Sequence, residues 1–293
     1  MYKGRIKEIS AVVPKHIIQN IDVPGFTEKE KLMMIKTTGI KERRLNLCTT
    51  TYMAIEACKP LDLTGVSILI MATQTPDHLI PGSSHAIQDY FKLECGCIDM
   101  NVACNGFIQG LAVAYSFAAQ GGKVLMVFSE TMTSILDSQD KNSLLFGDAA
   151  SAMIIDREGY AEINLHSNGD RFGAILHDQG GFMRMKGEDV FDFTMKEVYE
   201  TIFEDKCAGI DYFVFHQSNL FILKRLAARL GIPPEKMVIN IDRFGNTSAC
   251  SIPLALVTEK PTGYLMACGY GAGLNWGTAK FDYHPEKIYY NEI

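Results

Sequence analysis

The chain has 293 residues, of which 47% are hydrophobic and 21% charged, and carries a formal net charge of −6. These fractions exclude a disordered chain, a collagen and a coiled coil, and a chain this long buries roughly three-quarters of its unfolded surface without staples. A pI near 5.7 argues against nucleic acid as a partner. The longest apolar runs, residues 67–72 and 124–128, are strand-sized and well short of the ~18 residues of a spanning helix. The start, Met1-Tyr-Lys-Gly-Arg5, is basic, but no apolar stretch follows it, so neither a secretory leader nor a membrane partner is expected. Eight cysteines in such a chain read as reduced thiols, and a cytoplasmic location is expected.

In chain order, the first strong element is an apolar strand, Val66 to Thr73, followed by a turn-rich stretch from Gln74 to Gly82. A helix is predicted over Ser83–Phe91, with Ala86, Ile87, Tyr90 and Phe91 on one face. A short strand (Cys97–Val102), a helix (Asn105–Ala119) and a strand (Lys123–Phe128) come next. Residues 141–155 hold a Gly147-Asp148 turn leading into another strand. The second half repeats the plan: strand Ile210–Phe215, helix Leu220–Leu230 ended by Gly231, and strand Met237–Ile241. A helix centred on Ser248–Val257 and strands Gly263–Cys268 and Leu274–Tyr283 complete it. Alternating strands and helices predict a layered α/β fold. Thr73 and Cys104 are 31 residues apart, His216 and Asn246 are 30 apart, which is consistent with a duplicated fold sharing a central site. Units of ~30 residues are common in α/β proteins, so this spacing alone is weak.

Three residues stand where chemistry is possible. Cys104, in Asn101-Val-Ala-Cys-Asn-Gly-Phe107, lies where a strand gives way to a helix, a place where the dipole and free amides lower a thiol pKa. Taken alone, a cysteine there is more often a small buried packing residue. His216 leaves a buried strand at its C-terminal end, where α/β sheets form their ligand crevices, although a structural histidine is an equal reading. Asn246, before Thr247-Ser248, is by itself most simply a helix cap. The glycine run Gly269–Gly277 leads into a strand, not a helix, so it is no dinucleotide loop. Cys95 and Cys97 lack a second pair at zinc spacing, and no metal is expected.

Together, Ala103-Cys-Asn-Gly-Phe107, Phe146-Gly-Asp148, His216-Gln-Ser-Asn219, Gly245-Asn-Thr-Ser-Ala249 and Gly271-Ala-Gly-Leu-Asn-Trp-Gly277 resemble the β-ketoacyl-acyl-carrier-protein synthase III family in order and spacing. Thr38-Gly-Ile-Lys-Glu-Arg43 extends the resemblance toward the N-terminus, and only the tail beyond about Phe281 is left over. The resemblance implies a thiolase-like fold: two pseudo-symmetric βαβαβαββ halves, residues 1–156 and 157–293, in a five-layered α-β-α-β-α core. It implies that Cys104 takes an acyl group from a thioester and that His216 and Asn246 hold a malonyl-type thioester as it loses carbon dioxide. The amides of Cys104 and Ala272 would form the oxyanion hole. The implied donor is acyl-coenzyme A or an acyl carrier protein, the implied state a homodimer, and no cofactor is implied. In such a dimer Ile80 would close the partner's acyl pocket.

Elongating ketoacyl synthases, relatives of the family, carry a second histidine where this chain has Asn246. The second cysteine of thiolases would fall at Gly269, whereas Cys268 here lies one residue early and should face the other way on a strand. Positions that grip the coenzyme or carrier in the family depart from its pattern: Met33, Thr37, Asp140, Asp192 and Phe221 stand where a Trp, two Arg, a Lys and an Arg are expected. Lys224, Arg225 and Arg229 would then supply the carrier-binding charge. The leading expectation is a decarboxylating condensing enzyme of a specialised fatty-acid or polyketide-type pathway. The alternatives are an acyltransferase to an amine or alcohol, with His216 as general base, and a non-catalytic partner subunit.

Overall fold

A computed structural model describes residues 1–205 and 207–293. In chain order the strands are β1 (Tyr2–Val13), β2 (Ile17–Gln19), β3 (Glu42–Arg44), β4 (Val66–Ala72), β5 (Gly96–Met100), β6 (Lys123–Glu130), β7 (Ala149–Ser167), β8 (Ile175–Leu176), β9 (Arg184–Met185), β10 (Tyr212–Phe215), β11 (Gly263–Gly271), β12 (Asn275–Tyr283) and β13 (Lys287–Glu292). The helices are α1 (Glu28–Thr38), α2 (Thr50–Cys58), α3 (Ser83–Phe91), α4 (Gly106–Ala118), α5 (Gly187–Phe193), α6 (Tyr199–Glu204), α7 (Leu220–Leu230), α8 (Ile241–Phe244) and α9 (Ser251–Glu259).

The duplication is visible in strand pairing. β4 lies between β5 and β6, parallel to both. β10 lies parallel to β11 and makes a parallel bridge from Phe213 to Met237 on its other side. In each half the next pairing is antiparallel, β6 with β7 and β11 with β12. The long β7 serves both halves: residues 149–161 pair with β6 and β1, and residues 161–167 with β12.

β7 and β12 join the two halves into one continuous nine-stranded sheet, and alternation along its strands gives a central helical layer between its two wings and an outer helical layer on each, five layers in all. Leu69 and Met71 of β4, with Leu125 and Val127 of β6, pack outward against Met53, Ala54 and Ala57 of α2. Their neighbours Ile70, Val124 and Met126 face inward, onto Leu111 and Ala114 of α4. On the other wing of the sheet Val214, Leu265 and Ala267 face the same central layer, where Leu254 and Val257 of α9 lie beside α4. Phe213, Phe215, Met266 and Cys268 turn outward to Phe193, Ile202, Leu223 and Leu226. Cys268 thus faces away from the central layer, as its odd register requires.

Two expectations need correction. β1, which the sequence reading passed over, is a twelve-residue strand between β7 and β13. Charged residues at 3, 5, 7 and 8 disguise it. Glu8 is nevertheless buried, because its carboxylate accepts from Asp62 N–H (3.1 Å) and pairs with Lys287 Nζ (3.2 Å). Conversely, Met237–Ile241 forms no strand among the described residues. Val238 N–H does donate to Phe213 O (2.9 Å), but the side chain of Gln217 then takes over the edge, donating to Val238 O (3.2 Å) and accepting from Asn240 N–H (3.1 Å). The tail left over in the sequence reading is β13, parallel to β1.

The helices that frame the site are locally specified. α1 begins with a capping box between Thr27 and Glu30 and stops at Gly39, φ 76°. α7 is capped by Asn219, whose side chain accepts from Phe221 N–H (2.8 Å), and ends at Gly231. Leu111 sits at the middle of the central layer with no exposed surface. Leu111→Ala should cost about 3 kcal/mol in chemical denaturation, and a loss under about 1 kcal/mol would mean that this layer is loosely packed.

Candidate active site

Cys104 stands two residues before the first turn of α4, directly beneath the end of β11. A Cβ at Gly271 would lie 2.9 Å from Cys104 Cβ and 3.2 Å from its amide nitrogen, so only glycine permits this approach. The amides of Cys104 and Ala272 have no acceptor in another residue among those described. Cys104 Sγ lies 3.6 Å from Ser248 Oγ.

His216 follows β10 and donates its backbone N–H to Cys268 O (2.8 Å). Its ring is buried edge-on to Tyr270, centroids 5.3 Å apart, and Nδ1 lies 2.7 Å from Ser251 Oγ. Burial pushes its pKa down to about 3, so the imidazole is neutral at physiological pH.

Asn246 is strapped into place by its backbone, which donates to Leu145 O (2.8 Å) and accepts from Gly147 N–H (3.1 Å). The strap needs Gly245, whose φ is 68° and whose Cβ would meet Leu145 O at 2.7 Å. Asn246 Oδ1 accepts from Ser248 N–H (2.9 Å), and that bond orients the amide so that Nδ2 remains as a donor. Ser248 itself is held at φ 50°, a left-handed conformation costing an L residue about 1–2 kcal/mol. Such strain is typical of functional sites.

Cys104, His216, Asn246 and Ala272 all line one cavity of about 230 Å³. Its walls are otherwise largely apolar, with Met34, Met132, Met183, Met185, Val190 and Ile222 among them, and no Lys or Arg among the described residues lines it. It opens beside α1, where Thr37 is exposed. This apolar setting reverses one expectation. Burial pushes the Cys104 thiol up, to about 12, which favours the protonated thiol at rest. Close by, the buried Glu130 accepts from Thr75 Oγ1 (2.9 Å) and Gln74 N–H (3.2 Å). Burial raises it to about 8, which leaves it mostly neutral at pH 7.

The remaining expected residues lie outside this cavity. Ile80 is 89% exposed, on a loop whose Leu79 lines a neighbouring cavity. Lys224 and Arg225 are exposed on α7, with Arg225 stacked on Phe221 at 5.1 Å. Arg229 is engaged, its guanidinium 3.7 Å from the Tyr199 ring centroid and bonded to Met195 O. Met33, Asp140, Asp192 and Phe221 are all exposed. Among the described residues no group of three or more His, Cys, Asp or Glu could hold a metal, and no helix is long and apolar enough to cross a membrane. Sequence reasoning missed Gln74, Glu130 and Ser251, which reach the site only through tertiary contacts. Ser248 was visible inside a motif, without a role.

Two family models match the chain: 3-oxoacyl-[acyl-carrier-protein] synthase III over residues 98–169, and its C-terminal model over residues 206–283. The β-ketoacyl-[acyl-carrier-protein] synthase III of Ehrlichia canis is 33% identical, covering 95% of this chain and 98% of its own. Synthase III 1 of Bacillus cereus is 33% identical over 92% and 95%. Among solved structures, synthase III of Aquifex aeolicus superposes with TM-score 0.88 at 31% identity, covering 96% of this chain and all of its own. The priming β-ketosynthase of the R1128 polyketide pathway superposes with TM-score 0.88 at 27% identity, covering 97% of each chain.

With a thiol pKa near 12, alkylation of Cys104 by iodoacetamide should accelerate about tenfold per pH unit between about pH 7 and pH 9. Peptide mass mapping separates it from the exposed Cys48. A plateau near neutral pH would show a thiolate already formed.

Proposed function

The chain belongs to the β-ketoacyl-[acyl-carrier-protein] synthase III family and is a condensing enzyme of that type; from that premise we propose how its residues perform the reaction. Residues 1–156 form the half that supplies the nucleophile, and residues 157–293 the half that supplies His216 and Asn246. The reading is carried by the convergence of Cys104, His216, Asn246 and Ala272 on one cavity.

Cys104 Sγ attacks the carbonyl of an acyl thioester, and its proton leaves with the departing carrier thiol. The oxyanion is held by the free N–H groups of Cys104 and Ala272. A malonyl-type thioester then enters the same cavity and loses carbon dioxide. The resulting enolate oxygen accepts from His216 Nε2–H and Asn246 Nδ2–H, two neutral donors in an apolar setting. Ser251 Oγ–H donating to Nδ1 leaves the proton on Nε2. The enolate carbon attacks the acyl-Cys104 carbonyl, the C–S bond breaks, and a 3-oxoacyl thioester leaves. Cys104 recovers its proton from solvent. Acyl transfer and condensation are thus separate half-reactions.

The weak basicity of His216 argues against simple transfer to an amine or alcohol. A general base works best with a pKa near the operating pH, and His216 lies far below it.

We take the donor to be an acyl-coenzyme A or an acyl carrier protein; the relatives' names include the carrier protein. Lys224 and Arg225, on the exposed side of the helix that begins at the cavity, offer charge to an acidic carrier, with Arg229 supporting the same face. Eight unpaired thiols suit a reducing cytoplasm, and the likeness to synthase III extends to a specialised fatty-acid or polyketide-type pathway. We assign a homodimer, built through the edge strand β5 and the exposed Leu79 and Ile80, with Ile80 reaching the partner's acyl pocket.

Asn246→Ala should retain acylation of Cys104 while malonyl-dependent carbon dioxide release falls roughly 10²–10³-fold; equal losses in both half-reactions would refute the assigned role. Ile80→Gly and Ile80→Trp should shift the acyl chain-length preference in opposite directions, and identical preferences in both variants would remove Ile80 from the pocket.

A further inference from the structure

Gln74 is the single residue, among those described, that lines both the cavity containing Cys104 and a second, more polar cavity of about 640 Å³. The second chamber is bordered by Thr75, Asn101, Thr131 and Ile135 and reaches Leu79. Gln74 is fixed at both ends. Its backbone N–H donates to the buried Glu130 carboxyl (3.2 Å), which also accepts from the hydroxyls of Thr73 (3.3 Å) and Thr75 (2.9 Å). At its tip, Nε2 donates to Ser248 Oγ (2.8 Å) and lies 2.9 Å from Met132 Sδ. Ser248 Oγ in turn lies 3.6 Å from Cys104 Sγ. One short side chain therefore separates the thiol from the second cavity.

A carrier arm entering beside α1 leaves the acyl chain on Cys104 to extend inward, toward the wall made by Met132 and Gln74. We propose that Gln74 is the end wall of the acyl chamber, restricting the enzyme to short acyl groups, and that its removal joins the two cavities and admits longer chains. The inference rests on the reading that Cys104 is acylated. It adds a specificity-determining residue within the chain itself, at the start of the same β4–α3 connection that carries Ile80 near its far end. Because the amide is held by two bonds and the backbone by a third, the wall is rigid. A chain would have to break those contacts to pass.

The test probes space around Cys104 without needing any acyl donor. Methyl, butyl and octyl methanethiosulfonates react as the Cys104 thiolate attacks the sulfenyl sulfur, forming a mixed disulfide and releasing methanesulfinate. Rates are followed by intact mass, with peptide mapping to Cys104. In the native protein the octyl reagent should lag well behind the methyl one. Gln74→Ala and Gln74→Ser should raise the octyl-to-methyl rate ratio by roughly tenfold or more, the added methylenes now having a cavity to occupy. Gln74→Met, which keeps the length of the side chain but not its amide, should hold the native ratio. An octyl-to-methyl ratio within about twofold of native in both shortened variants, or a Gln74→Met ratio equal to that of Gln74→Ala, would overturn the proposal. Parallel loading with acetyl, butyryl and octanoyl thioesters separates the two claims. If thiosulfonate selectivity shifts but no acyl donor loads the native protein, the wall stands and the acylation reading falls.

Discussion

The contact of Gly271 with Cys104 is the constraint around which the molecule is arranged. The two residues belong to different halves of the fold, one ending β11 and the other preceding α4, and a single methyl group between them would collide with the Cβ of Cys104. This approach places the Ala272 amide next to that of Cys104. It also requires α4 to lie in the central layer between the two wings of the sheet, which the inward faces of β4, β6, β10 and β11 provide. The long β7, shared by both halves, fixes their relative register.

A second theme is charge neutrality. Burial lowers His216 and raises both Cys104 and Glu130, so among the described residues the cavity holds hydrogen-bond donors and a thiol but no Lys, Arg, Asp or Glu. That is a suitable environment for a decarboxylation, in which negative charge moves from a carboxylate to an enolate oxygen. Neutral donors stabilise the new charge without pairing strongly with the old one, and the apolar walls increase the strength of each bond. The strained Ser248 and the clamp on Gln74 belong to the same design, in which the site's geometry is held by backbone and second-layer contacts.

Much of this was legible in the sequence. The apolar runs of β4, β6, β10 and β11 announced a layered α/β fold, and five motifs in register located Cys104, His216 and Asn246. The failures have physical causes. β1 was hidden because its charges are neutralised by partners far away in sequence, such as Lys287 for Glu8. The Met237–Ile241 strand was expected from local pattern, but Gln217 provides its hydrogen bonds from a side chain. The helix end visible in the sequence favours a lowered thiol pKa, whereas burial, which only the folded chain shows, raises it. Glu130, Gln74 and Ser251 lie 26, 30 and 147 residues from Cys104 and carried no local signal.

The central claim is that Cys104 carries the acyl group and surrenders it to a malonyl-derived carbanion. The most direct measurement is intact mass after mixing the protein with acyl-coenzyme A and acyl-carrier thioesters, alongside Cys104→Ala, followed by addition of a malonyl thioester. The account predicts a gain of one acyl group, absent in Cys104→Ala and discharged by the malonyl thioester as a 3-oxoacyl product. An acyl adduct that persists in Cys104→Ala, or one that malonyl thioester leaves in place, would contradict it.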